Sequence, residues 1–266
     1  MVAFKPKYLE VATGKKYGPG TMLNSLSLQQ FRNFNTNLLG LGEIYVDADY
    51  TNALAAIFDL EGFTLFCHEA DSDLEVPEFL YEFLNWLFNS ISENFKEGQK
   101  GNRITVWGSL PFFVKFLGDG VLFLWDTDRS GDLTGIGNVI LRLNLIRKAY
   151  ASHFLPYIKQ KVSNPPQRLR CGIARGKVMS VGQDLDYVGS CINAAARLQK
   201  LNQLAFAFNR SGLDPDECFL KREAKYFVTK RVDVRGIGNN KLVVVEKKEF
   251  DGLPANEKKK FKDPVA

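Results

Sequence analysis

"FDLEGFT", residues 58–64, follows an apolar run that begins at Ala53. The run reads as a buried strand, residues 53–58, and a carboxylate, Asp59, stands at its end against a turn that contains Gly62. An unpaired buried carboxylate is unfavourable, so Asp59 needs a cation, a hydrogen-bond donor or a metal beside it. A lone Asp at such a place is most often a turn residue or a helix cap. The rest of the chain decides between these readings.

Beyond the turn, Asp71 or Ser72 caps a predicted helix that runs to about Phe95. Pro77 is expected in its first turn, and Phe79, Leu80, Phe83, Leu84 and Leu87 form a stripe of helical spacing. "RITVWG" (103–108) and "PFFVKF" (111–116) are strand-like. "GDG" (118–120) is a tight turn, and "VLFLW" (121–125) returns as the second arm of a hairpin. Residues 133–160 read as one long helix. "LRCGIARG" (169–176) and "KVMSVG" (177–182) are expected as a strand pair turning at Gly176. "INAAARLQKL" (192–201) is a short amphipathic helix and "LAFAF" (204–208) a strand, and "RVDVRG" with "KLVVVEKK" makes a last hairpin. Helices alternate with antiparallel strand pairs. That predicts an α+β fold with a ferredoxin-like core, not a parallel Rossmann sheet.

The expected organisation is an irregular N-terminal arm over residues 1–50, with "YGPGT" (17–21) as a turn, then one domain over 51–248 and a basic flexible tail over 249–266. With 45% hydrophobic and 24% charged residues, the composition is that of an ordinary globular chain able to bury a sizeable core. No apolar run reaches the ~18 residues of a membrane span, and the first residues lack the apolar stretch of a signal peptide. A cytoplasmic location is the expectation. Cys67, Cys171, Cys191 and Cys218 show no metal-binding spacing and are read as reduced thiols. The two histidines, His68 and His153, are too few for a histidine-rich metal site. The net charge of +5 sits partly in "NEKKKFKDPVA" at the C-terminus. That run has no aromatic ladder and reads as a solvated end, so neither nucleic acid nor a membrane is expected as a partner.

A second acidic turn lies in "KFLGDG" (115–120), where Asp119 occupies the hairpin tip. If strands 53–58 and 112–117 are neighbours, Asp59 and Asp119 emerge at one sheet edge. Two carboxylates with open coordination positions suit Mg²⁺, which accepts waters and phosphate oxygens as further ligands. The third segment is "DYVGSCINAAARLQ" (186–199). Asn193 and Arg197, four apart, share a helix face, and an amide with a guanidinium can hold a sugar and a phosphate. Asp186 lies in the approach to that helix.

Together these segments resemble the class III nucleotide cyclases. Their first metal motif is close to FDLEGFT; their K-x-x-G-D motif is met by Lys115 to Asp119. Their D-x-x-G-x-x-x-N-x-x-x-R motif is met by Asp186, Gly189, Asn193 and Arg197, and a late V-K-G-K-G element is matched loosely by "VRGIG", with Arg235 at its first Lys. The likeness spans about residues 53–245.

The resemblance implies closure of a nucleoside triphosphate to a 3′,5′-cyclic monophosphate with release of pyrophosphate. It implies two divalent cations, Mg²⁺ or Mn²⁺, held by Asp59, Asp119 and the Leu60 carbonyl. Asn193 would orient the ribose and Arg197 would oppose charge at the α-phosphoryl group, as the catalytic pair. Arg235 would hold the terminal phosphates. It also implies a head-to-tail homodimer, with the aspartates from one chain and the Asn193/Arg197 pair from the other. Lys115 and Asp186 stand where adenylate cyclases read adenine. The chain also looks like the stand-alone pyrimidine cyclases of bacterial Pycsar antiphage systems, whose product is read by a separate effector. On that likeness UTP is the expected substrate, with Tyr50 filling the volume of a purine's second ring. A cytidylate cyclase, an adenylate cyclase and a non-catalytic cyclase-fold module are the alternatives. The last is disfavoured because both metal aspartates and the arginine are present.

Overall fold

A computed structural model describes residues 11–17, 21–42, 44, 49–128, 133–182 and 184–264. In chain order its first elements are β1 (Val11–Tyr17), β2 (Thr21–Ser25), α1 (Leu28–Arg32), β3 (Tyr50–Glu61), α2 (Phe63–Phe66) and α3 (Ser72–Phe95). Next come β4 (Lys96–Lys100), β5 (Arg103–Val106), β6 (Phe113–Phe116), β7 (Gly120–Asp126), α4 (Leu133–Ala149), a π-helical turn (Tyr150–Phe154) and α5 (Leu155–Ile158). They are followed by β8 (Arg168–Val181), β9 (Asp186–Val188), α6 (Ser190–Leu198), β10 (Phe206–Asn209), α7 (Pro215–Cys218) and α8 (Lys221–Ala224). The last are β11 (Phe227–Val234), β12 (Gly238–Glu246), α9 (Lys247–Asp251) and α10 (Ala255–Lys258).

The chain divides into two compact units, Met1–Asp49 with Met179–Val188, and Tyr50–Val178 with Gly189–Ala266. No such division is legible in the sequence. In the first unit, β1 and β2 form an antiparallel hairpin in which Tyr17 faces Thr21. The Thr13 hydroxyl donates to the Leu23 carbonyl at 2.7 Å. Ser27 caps α1 by accepting from the Gln30 amide. Asp49 and Ser180 exchange hydrogen bonds, and β9 pairs antiparallel with Met179–Val181. The segment expected to be irregular thus holds regular structure, and the middle of the "YGPGT" turn lies outside the described residues.

The second unit carries the main sheet, in the order β11-β12-β10-β8-β3-β7-β6. The pairs β3–β7, β6–β7, β10–β12 and β11–β12 are antiparallel and β10–β8 is parallel. β3 is central, and Ala53–Leu60 are all buried, which explains an apolar run without alternation. α3 packs through Phe79, Phe83, Leu87, Ile91 and Phe95, all buried at four-residue spacing. The rings of Phe79 and Phe83 meet Phe154 and Tyr150 of the π-helical turn. This is the α+β arrangement of paired antiparallel strands and packed helices that the element order predicts.

Four expectations need correction. Strand 112–117 does not neighbour 53–58; β7 lies between them. Gly176 is not a turn, because β8 runs unbroken through it. Glycine is there because an added Cβ would press on Cys191 of α6, 3.2 Å away. Pro77 falls one turn further into α3 than expected. Residues 249–264 are not a frayed tail. Arg231 and Lys262 exchange backbone hydrogen bonds of 2.7 and 2.8 Å, and Phe250 meets Phe261 edge-on at 5.4 Å. Upstream, Glu246 and Glu249 pair with the buried Arg147. Among the described residues no helix is long and apolar enough to cross a membrane. All four cysteines are free, three of them buried.

Candidate active site

The β3–β7 ladder sets the two aspartates side by side. Asp59 lies opposite Gly120, and the Leu60 amide donates to the Asp119 carbonyl at 2.9 Å. The hairpin closes when the Leu117 amide donates to the Gly120 carbonyl at 2.8 Å. Position 120 admits glycine alone, since an added Cβ would stand 2.3 Å from the Phe58 carbonyl oxygen. Gly62 has φ +89°, the left-handed turn that stops β3 and starts α2. Asp119 therefore reaches the edge of β3 through the tip of the intervening hairpin.

Asp59 is only 4% exposed. Among the described residues its ion pair is with Lys200, whose Nζ is 3.4 Å from Oδ1. Burial raises the Asp59 pKa above its ordinary value, Lys200 opposes that rise, and Asp119 adds to it. Next in sequence, Glu61 is held by Arg168 and Arg170 of β8, so it is already paired.

α6 rests on the backbone of β8. A Cβ on Gly172 would stand 2.2 Å from both the Ala195 carbonyl oxygen and the Gln199 amide nitrogen. The contact turns Asn193 and Arg197 toward the aspartates. Asp59, Asp119, Asn193, Arg197, Gln199 and Lys200 line one cleft of about 510 Å³, which Gly236 also borders. Lys200 and Gln199 are missing from the sequence reading. Lys200 was within its reach: Asn193, Arg197 and Lys200 stand at i, i+4 and i+7, one helical stripe that continues past the end of α6.

Lys115, Arg235 and Tyr50 are not brought into this cleft. Leu60, next to Asp59 on the strand, is expected to offer its backbone carbonyl, and its side chain faces the core. Lys115 on β6 and Arg235 in the β11–β12 turn are exposed, and neither lines the cleft, although Gly236 beside Arg235 does. Asp186 belongs to the first unit, where its carboxylate accepts from the Tyr187 amide at 2.8 Å. Tyr50 opens β3 nine residues before Asp59, roughly 30 Å along the strand. It is 61% exposed, with the Lys177 ammonium 5.2 Å from its ring centre. It is therefore no wedge for the base in the cleft of its own chain.

The adenylyl cyclase CyaB from P. aeruginosa superposes with a TM-score of 0.54 at 15% identity, over 76% of this chain and 96% of that one. The fold is that of a class III cyclase catalytic domain. A bacterial light-regulated adenylyl cyclase superposes with a TM-score of 0.50 at 16% identity, over 76% of this chain. The alignment spans 54% of that longer protein, about half of its length. No protein-family model matches the chain, and no curated protein matches it by sequence.

Proposed function

We propose that this protein is a nucleotide cyclase, converting a nucleoside triphosphate to a 3′,5′-cyclic monophosphate and pyrophosphate. The observation that carries the reading is the cleft in which Asp59, Asp119, Asn193 and Arg197 meet on a cyclase fold. The acidic edge fits hard divalent cations. Asp59 is a buried carboxylate whose ion-pair partner is the mobile, half-exposed Lys200, and Asp119 stands beside it. Among the described residues no third acidic, cysteine or histidine side chain joins them, so coordination positions are left for phosphate oxygens and water. Asp59, Asp119 and the Leu60 carbonyl would hold two such ions, Mg²⁺ or Mn²⁺. When bound, these ions supply charge stabilisation to the polyphosphate and make the ribose 3′-hydroxyl more acidic. Asn193 holds the ribose so that its 3′-oxygen faces the α-phosphorus. Arg197, a planar fork with fixed donors, opposes the charge that grows on the α-phosphoryl oxygens. The resemblance assigns Arg235 to the terminal phosphates and Lys115, with Asp186, to the base; Lys115 and Arg235 are exposed and outside the cleft lining.

The finer reading is a pyrimidine cyclase making cyclic UMP for an effector in antiphage defence. It rests on the resemblance, and Tyr50 no longer supports it within one chain. Purified protein incubated with each of ATP, GTP, CTP and UTP and Mn²⁺, with products separated by chromatography, tests both levels. No cyclic product from any of the four removes the cyclase reading; cyclic AMP or cyclic GMP as the main product removes only the pyrimidine one.

The resemblance places the aspartates and the Asn193/Arg197 pair on different chains of a homodimer. The cleft favours a second reading, in which one chain carries both sets. Mixing inactive Asp59→Ala with inactive Arg197→Ala separates them: shared sites regain activity as subunits exchange, and single-chain sites do not.

A further inference from the structure

The metal edge already holds a positive charge of the protein's own. We infer that Lys200 is a resident counter-ion, neutralising Asp59 in the metal-free protein and withdrawing when a divalent cation takes that place. The inference rests on the reading of Asp59 as a metal ligand.

The pair is asymmetric. The Asp59 side chain is 6% exposed and fixed in the β3–β7 ladder, whereas the Lys200 side chain is 55% exposed. Lys200 hangs from the residue after the α6 C-cap, where its amide donates to the Arg197 carbonyl at 3.2 Å. An ammonium on a four-carbon stem is a mobile point charge that leaves one oxygen for another with little rearrangement. A divalent cation on the same carboxylate would repel it strongly in so buried a place, so the two occupy Asp59 in alternation. The released ammonium remains in a cleft lined by Asn193 and Arg197, where phosphate oxygens are its natural acceptors. Metal and nucleotide binding are thereby coupled: the metal frees the lysine, and the nucleotide gives it a new partner.

Mn²⁺ binding without nucleotide, followed by electron paramagnetic resonance of the free ion, tests this on the full chain. Lys200→Met keeps the stem's bulk and removes the charge, and should bind Mn²⁺ about tenfold more tightly than the wild type, the worth of one partly buried ion pair. Lys200→Arg keeps a charge at the carboxylate and should stay near the wild type. In an Asp59→Asn background, Lys200→Met should change nothing. Equal Mn²⁺ affinity for the wild type and Lys200→Met overturns the inference while leaving the metal edge intact. If neither protein binds Mn²⁺ at millimolar concentration, the metal reading of Asp59 itself falls. Tightening in Lys200→Met that persists without Asp59 would also overturn the inference, because the lysine would then be acting elsewhere.

Discussion

Replacing Asp59 by Asn should make the metal-free protein more stable while removing its activity. Asn keeps the shape of Asp and discards the charge. In the folded chain that charge is almost fully buried, and burial is the largest cause of its raised pKa, ahead of the opposing attraction of Lys200. A folded-state pKa above the unfolded one means that the native state binds the proton more tightly. The stability this group contributes is therefore fully present below its ordinary value of 3.8 and is lost as pH rises through the folded pKa. At neutral pH the ionised carboxylate is a net burden. Exchanging a buried charge for a neutral group of the same shape, while its ammonium partner stays half in water, should gain on the order of 1 kcal/mol. For a domain of this size that is roughly 2–4 °C in Tm. Thermal melts by circular dichroism in EDTA, at pH 4 and pH 7, measure it. The variant should exceed the wild type at pH 7, and the gap should shrink toward pH 4. A variant that melts below the wild type at pH 7 would refute the reasoning, because the ion pair with Lys200 would then outweigh the burial.

Arg197→Lys keeps the charge but loses the fork, and should lower kcat about 100-fold with KM little changed; steady-state kinetics with the preferred nucleotide checks it. Glu246→Ala leaves Arg147 buried with Glu249 as its remaining acidic partner, and should destabilise the fold by about 3 kcal/mol; urea unfolding reads this directly. Gly172→Ala drives a methyl into the backbone of α6. It should reduce stability by about 1–3 kcal/mol and depress turnover further than Gly176→Ala, whose nearest neighbour is a side-chain atom at 3.2 Å; paired melts and rate assays compare them.

Most of the site's acidic half was legible because each part of it has a local cause. An apolar run needs a strand, a charge ends it, and glycines at 62 and 120 allow the chain to turn and to crowd. The helix stripe of Asn193 and Arg197 was legible for the same reason. What could not be read depends on partners far along the chain. Gly176 looks like a turn until Cys191 is placed above it. The C-terminal lysines look like solvated tail, but Phe250, Leu253 and Phe261 among them are anchors that need a body to pack on. Tyr50 is near Asp59 in sequence terms, yet an extended strand carries it to the opposite end. The adjacency of β7 rather than β6 to β3 is set by which arm of the hairpin is the more apolar, and Gly120–Trp125 are all buried.

The seat of α6 on Gly172 has a mechanical consequence. Two backbones in direct contact have no intervening side chains to act as a bearing, so helix and strand travel together as one stiff part. Asn193 and Arg197 are thus bolted to the sheet, as the hairpin tip is to β3 by the close approach of Gly120 to the Phe58 carbonyl. Hydrogen exchange should display this as common slow protection across α6 and β8 at Gly172; independent opening of α6 would refute it.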